Sequence, residues 1–322
     1  MKEISVETLY YEFKNRLKLE MLNGDHGFDK VIKEPELHRP GLALSGFTNV
    51  FTFQRIQIMG NTELGYLETQ PPKQKEASIR KVFGFDLPCV IVTDNNFPPQ
   101  ILVDVANERK VTLFRTELST THVIQLLSYY LDNKFAQRTT VHGSMVDVYG
   151  IGVLLTGRSG IGKSEIALDL VERGHRLVAD DVVHITRQSE GILISIGSEV
   201  LKHHMEIRGI GIIDIRSMFG VRGIRLKKRV EVEVRLEDWQ EDKDYERVGL
   251  VEKTSSILGV EVPLVNLPIF PGKNVTVIIE VIALNQLLKV YGVHTAQEFN
   301  DRLLQRMQTA IDVKDYIYFD LE

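Results

Sequence analysis

Apolar positions along the chain repeat with two different periods. Behind Ser119, residues Val123, Leu126, Leu127, Tyr130 and Leu131 recur at helical spacing. They predict a helix over Ser119–Phe135 with Ser119 as its N-cap. Ahead of it, Cys89–Val92 and Val111–Phe114 are short apolar runs of strand length, and Asn95–Pro99 carries turn residues. The polar stretch Thr69–Ala77, with two prolines, reads as a surface loop. Strands alternating with loop or helix patterns predict a small α/β unit over residues 1–134. The charged and polar residues around 132–138 mark its end.

The pattern changes in residues 135–322. Thr140–Tyr149 reads as one strand and Ile151–Thr156 as the next, joined at Gly150. So short a connection requires antiparallel neighbours. Lys163–Arg173 has apolar pairs at i, i+4 and ends at Gly174, the pattern of a helix with a glycine after its last turn. Leu177–Ala179 is a short strand running into Asp180 and Asp181, and Arg225–Leu236 alternates as a strand. Asn274–Tyr291 is too long for a strand and predicts a helix. Thr295–Met307 predicts another, with Thr295 and Glu298 as a capping box. The fold class expected is therefore α/β in two domains.

Composition narrows the function classes. Of 322 residues, 39 are Lys or Arg and 44 are Asp or Glu, a net charge of −5, which argues against a dedicated nucleic-acid binder. One cysteine, Cys89, forms no internal disulfide and no Cys-rich zinc site. The longest apolar stretch, Val275–Leu288, is broken by Glu280, Asn285 and Gln286, and the first residues carry charges where a signal peptide needs an apolar core. The expectation is a cytoplasmic protein that binds neither nucleic acid nor membrane.

One motif carries chemistry. Gly157-Arg158-Ser159-Gly160-Ile161-Gly162-Lys163-Ser164 fits the phosphate-loop pattern G-x-x-x-x-G-K-[ST], between an apolar strand and an amphipathic helix. A chance match in this length is on the order of 0.01 from average residue frequencies. Glycines let successive N–H groups turn inward onto phosphate oxygens, and the helix N-terminus adds its own. Lys163 is placed for the β- and γ-phosphates and Ser164 for Mg²⁺. Asp180 and Asp181 end a strand, where such sheets deliver side chains to a ligand crevice. One acid can serve a metal and the other a hydroxyl nucleophile, although an acidic turn reads equally well from the residues alone.

Other segments are ambiguous by themselves. In Met205-Glu206-Ile207-Arg208-Gly209-Ile210-Gly211, Glu206 could complete a Mg²⁺ shell and Arg208 bind phosphate, or the two could be a surface pair. Pro268, Pro271, Gly272 and Lys273 form a turn before a helix. His142 lies mid-strand, where packed histidines are commoner than catalytic ones. Arg247 lies in a charged run. The basic run Arg225, Lys227, Lys228 and Arg229 reads as a solvated edge, or as a dock for an acidic partner.

Together these segments resemble the bifunctional HPr kinase/phosphorylase family of low-GC Gram-positive bacteria. The resemblance rests on Gly157–Ser164 with Glu165, on Leu177–Asp181, on Met205–Asp214 and on Pro271–Asn274. It implies a phosphate-loop catalytic domain over 135–322, similar to the nucleotide core of phosphoenolpyruvate carboxykinase. It implies ATP-dependent phosphorylation of a serine of HPr or an HPr-like paralogue, and removal of that phosphate by inorganic phosphate with release of pyrophosphate. ATP and Mg²⁺ are the cofactors implied, fructose bisphosphate an effector, a homohexamer the assembly and carbon catabolite repression the output. His142, Lys163, Asp181 and Arg247 are implied as catalytic, and Ser164 and Glu206 as metal ligands. The segment from Met205 through Ile207, Arg208, Gly209 and Gly211 to Asp214 is implied to serve both directions, and Pro268–Lys273 mainly dephosphorylation. A small-metabolite kinase and a nucleotide-controlled regulatory module are the competing functions.

Overall fold

The computed structural model describes residues 3–188, 191–240, 252–270 and 272–319. The chain divides into two compact units, residues 1–136 and 137–322.

The first unit is built on a five-stranded sheet. Leu37–His38, Ile56–Met59, Cys89–Val92 and Thr112–Arg115 run parallel, and Glu20–Met21 pairs antiparallel at one edge. The two central strands are buried throughout because both faces are covered. Ile58 and Ile91 pack on one side, while Met59, Val90 and Val92 pack on the other. Thr120–Phe135 is a helix, and Ser119 caps it by accepting from the His122 N–H. The segment read as a loop over Thr69–Ala77 belongs to two helices instead, Asn61–Thr69 and Pro72–Val82. Pro72 sits in the first turn, where its missing N–H costs nothing, so the second proline starts a helix rather than breaking one. Cys89 is fully buried, and burial pushes its thiol up to about 12. The native protein is therefore expected to give no reaction with a thiol reagent such as dithionitrobenzoate, and one equivalent after unfolding.

The second unit stacks helices, a six-stranded sheet and a four-stranded sheet. In the larger sheet Ile151–Thr156 lies between Ser144–Val148, antiparallel to it, and Val232–Asp238, parallel to it. Val260–Ile269 continues parallel beyond that. Val153 and Leu155 face the helices Lys163–Glu172 and Val275–Val290, whereas Leu154 faces the smaller sheet. The four-stranded sheet is antiparallel and contains Arg138–His142, Val182–Arg187, Leu193–Gly197 and Lys227–Arg229.

Two expected strands are each divided between these sheets. Thr140–Tyr149 breaks at Gly143, and Arg225–Leu236 breaks after Arg229. No change of period marks either crossing, because Val141 and Met145 keep one phase across Gly143, as Val230 and Val232 do across Glu231. The late helix spans Thr295–Phe319. Its first turn closes Glu298 N–H onto the His294 carbonyl, which places Thr295 inside the helix rather than at a capping box. No single helix among the described residues is long and apolar enough to cross a membrane.

Candidate functional site

The expected phosphate loop lies between the carboxyl end of Ile151–Thr156 and the helix Lys163–Glu172. Gly157, Gly160 and Gly162 hold φ of 139°, 77° and 102°, all in the region that favours glycine. Gly160 is constrained a second way. A Cβ there would lie 2.6 Å from Nη1 of Arg208, so the guanidinium rests directly on the loop. Lys163 is buried, and its ammonium donates to the loop's own carbonyls at Gly157 (3.1 Å) and Arg158 (3.0 Å). The Arg158 side chain turns out of the cleft and forms a two-point pair with Asp238 (2.6 and 2.8 Å).

Ser159, Gly160, Lys163, Ser164 and Glu165 form one wall of a cleft. His142, Ser144, Asp180, Asp181, Glu206 and Arg208 complete it. Four elements far apart in sequence thus meet at one point. The hairpin His204–Ile207/Gly211–Asp214 explains the Glu–Arg segment. Met205 and Ile207 are buried in the core, so by strand alternation Glu206 points the other way, into the cleft. Gly209 and Gly211, at φ 85° and 95°, shape the hairpin turn. Asp214 does not line the cleft. It caps the short helix that follows, accepting from the N–H groups of Arg216 and Ser217 and from the Ser217 hydroxyl, which holds its carboxyl below the usual range.

Asp180 and Asp181 occupy contrasting environments. Val182 N–H closes onto the Asp180 carbonyl at 2.7 Å, a three-residue turn centred on Asp181 at φ 63°. Positive φ at the centre of a γ-turn is rare and strained for a residue with a Cβ. The turn leaves the Asp181 side chain half-exposed, with its Oδ1 3.0 Å from Nδ1 of His142. Asp180 is buried. Its Oδ1 accepts from the Ser144 hydroxyl at 2.5 Å, while Oδ2 has no hydrogen-bond partner. Burial raises the Asp180 carboxyl above its ordinary value, an effect the Ser144 hydroxyl partly offsets.

A prediction follows from that orphaned oxygen. An acid raised by burial favours the folded state when protonated. That contribution is fully present at low pH and is lost as pH rises through the folded pKa. Asp180→Asn is therefore expected to raise the melting temperature of the metal-free protein at neutral pH. The rise should be about 2–4 °C for each kcal/mol relieved. The difference should close on acidification. A lower midpoint at neutral pH would contradict the picture of an uncompensated charge.

The same oxygen tests the fit of a cation. Ser164, Asp180 and Glu206 present oxygen donors to one cleft, the donor type Mg²⁺ takes. Among the described residues there is no cluster of three or more metal-binding His, Cys, Asp or Glu side chains.

Not every expected residue comes to the cleft. Pro268 lies in the strand Val260–Ile269, and Lys273 donates to the Pro268 carbonyl at 2.9 Å, its ammonium lowered by burial. Gly272 is a turn residue at φ 86°. Arg247 and Pro271 lie outside the described residues. Sequence reasoning passed over Ser144 and Asp238. The only local signal for Ser144 is a hydroxyl at the start of a largely apolar strand.

The two halves of the chain match two families. Residues 4–131 match the family described as HPr Serine kinase N terminus, and residues 133–303 that described as HPr Serine kinase C-terminal domain. The HPr kinase/phosphorylase of Chloroherpeton thalassium is 50% identical over 98% of this chain and 93% of its own length. The protein of the same name from Chlorobium phaeobacteroides (strain BS1) is 51% identical over 95% of this chain and 91% of its own. The solved Hpr(Ser) kinase/phosphatase of Coxiella burnetii aligns at 35% identity with a TM-score of 0.45, covering 50% of this chain and 98% of that one.

Proposed function

Because the chain belongs to the HPr kinase/phosphorylase family, we propose that its second unit transfers the γ-phosphoryl group of ATP to a serine hydroxyl of HPr, and returns that group to inorganic phosphate as pyrophosphate. The chain is thus a kinase and phosphorylase. The observation that carries this reading is a half-exposed carboxylate, Asp181, facing a phosphate loop across one cleft.

In the forward direction Asp181 takes the serine proton as the oxygen attacks the γ-phosphorus and the bond to the β–γ bridging oxygen breaks, releasing ADP. In reverse a phosphate oxygen attacks, the serine oxygen leaves, and Asp181 returns the proton. His142, in contact with Asp181, holds that carboxylate toward the cleft and lies beside the incoming phosphate. Lys163 exchanges its two loop carbonyls for phosphate oxygens and offsets their charge. Arg208, lying on Gly160, is placed to bind phosphate from the other side. Ser164, Asp180 and Glu206 would hold Mg²⁺. When bound, the ion neutralises charge on the phosphates. The resemblance adds Arg247 as a further positive charge on the transferring group, and Pro268–Lys273 as a segment used in dephosphorylation.

The reading extends to the setting: a cytoplasmic homohexamer, stimulated toward kinase action by fructose bisphosphate and toward phosphorolysis by phosphate, acting in carbon catabolite repression. Kinship with the phosphoenolpyruvate carboxykinase core is supported by the antiparallel strand beside the phosphate-loop strand.

The test uses purified protein, Mg²⁺, γ-labelled ATP and HPr. Label is expected on a serine of HPr and, once ATP is replaced by phosphate, in pyrophosphate. Label that phosphate does not release would leave a kinase alone and remove the role given to Pro268–Lys273. No label despite ATP binding would favour a metabolite kinase or a nucleotide switch.

A further inference from the structure

Ser144 opens the strand Ser144–Val148, in which all five residues are buried. Burying a hydroxyl is costly unless it is hydrogen-bonded. Asp147, the other polar side chain of the strand, is met on Oδ2 by Arg176 (2.5 Å) and Arg225 (2.7 Å), while its Oδ1 is buried without a partner. Ser144 finds its partner in Oδ1 of Asp180. Both residues line the cleft, together with Ser164 and Glu206.

The consequence lies in the other oxygen. The terminal torsion of an aspartate is soft and nearly two-fold, so an unheld carboxylate samples many orientations. One donor on Oδ1 selects an orientation and leaves the buried, unpartnered Oδ2 as the remaining acceptor. The two residues before Ser144 secure the neighbouring acid. Gly143 N–H donates to the Asp181 carbonyl at 3.2 Å, and Nδ1 of His142 is hydrogen-bonded to the same carbonyl at 3.0 Å and lies 3.0 Å from the carboxylate Oδ1. The crossing from one sheet to the other is thereby a clamp on both aspartates.

We propose that Ser144 is a positioning residue for the divalent cation. It holds Asp180 by Oδ1 so that Oδ2 is presented, pre-oriented, to the ion that Ser164 and Glu206 share. This rests on the reading of the cleft as a Mg²⁺–phosphate site. Hydrogen-bond partners behind a metal ligand typically contribute about 10–100-fold to metal affinity.

The test is Mn²⁺ binding to the full-length protein with pyrophosphate present, followed by the electron paramagnetic resonance signal of the free ion. Ser144→Ala is expected to weaken binding about 10–100-fold. Ser144→Cys keeps nearly the same volume but offers only a weak S–H donor, and is expected to behave like the alanine variant. In the Asp180→Asn background, Ser144→Ala should have little further effect, since the two act as one unit. Binding within twofold of the parent in Ser144→Ala, recovery by the cysteine, or full additivity with Asp180→Asn would each overturn the proposal. HPr labelling separates it from the functional reading. Ser144-dependent Mn²⁺ binding without transfer to HPr would sink that reading alone. Transfer to HPr with unaltered Mn²⁺ binding in Ser144→Ala would sink the positioning role alone.

Discussion

Asp181→Asn is expected to slow both transfer to the serine and its reversal, each by about 10²–10⁴-fold. Asparagine is the informative substitution here. It tolerates a left-handed backbone better than most residues, so the turn at φ 63° is kept. It also retains an oxygen that can meet His142, while losing the capacity to accept and return a proton at neutral pH. Nucleotide binding should survive, because the loop glycines and Lys163 are untouched. Trp239, the single tryptophan, reports on that. It follows Asp238, the partner of Arg158 in the phosphate loop, and packs edge-on against Phe270. ATP-dependent fluorescence of Trp239 with both transfer rates lost would support the assignment. Loss in one direction only would contradict a shared acid and base, since the same carboxylate faces the serine oxygen when it attacks and when it leaves.

The second large effect concerns Gly143. A Cβ at this position would lie 2.4 Å from the Leu155 carbonyl oxygen. That oxygen belongs to backbone in the middle of the strand feeding the phosphate loop, so it cannot rotate away. Gly143→Ala is expected to cost about 1–3 kcal/mol, the usual range for overpacking. At 2–4 °C per kcal/mol, the melting temperature should fall by about 2–12 °C. Activity should fall further than stability, because relief of the clash displaces His142 and Ser144 and with them both aspartates. Gly65→Ala provides a contrast of opposite sign. Gly65 lies inside the helix Asn61–Thr69 with nothing within 4 Å of the added carbon, so alanine should stabilise it by about 0.5–1 kcal/mol. A Gly143→Ala protein that melts and turns over like the parent would show that the strand crossing adapts freely.

Arg158 shows how a phosphate-loop side chain can be engaged by a residue far away in the sequence. Its position in the phosphate loop suggests a phosphate contact, but its guanidinium is engaged by Asp238 at the end of the neighbouring strand. Nothing local in the sequence links residues 80 positions apart. The same limit applies to Asp214, which reads as part of the Glu–Arg segment yet works as a helix cap.

What the sequence determined by itself were the features that depend on neighbours along the chain. The phosphate loop is one, because its glycines and the following helix are a local backbone requirement. The antiparallel entry into Ile151–Thr156 is another, because two residues cannot span a parallel crossover. The helix beginning near Asn274 was legible from its length. The features that tertiary structure decided are those that depend on what packs across a gap. Alternation continues through Val230-Glu231, and Val141 and Met145 keep one phase across Gly143, so the exchange of sheets leaves no trace in hydropathy at either place. The different environments of Asp180 and Asp181 are invisible in an acidic dipeptide. They arise because one side chain turns under the Ser144 strand and out of water, while a strained turn keeps the other beside His142 at the surface. Burial and orientation are properties of the assembled sheets, and they distinguish two chemically identical residues.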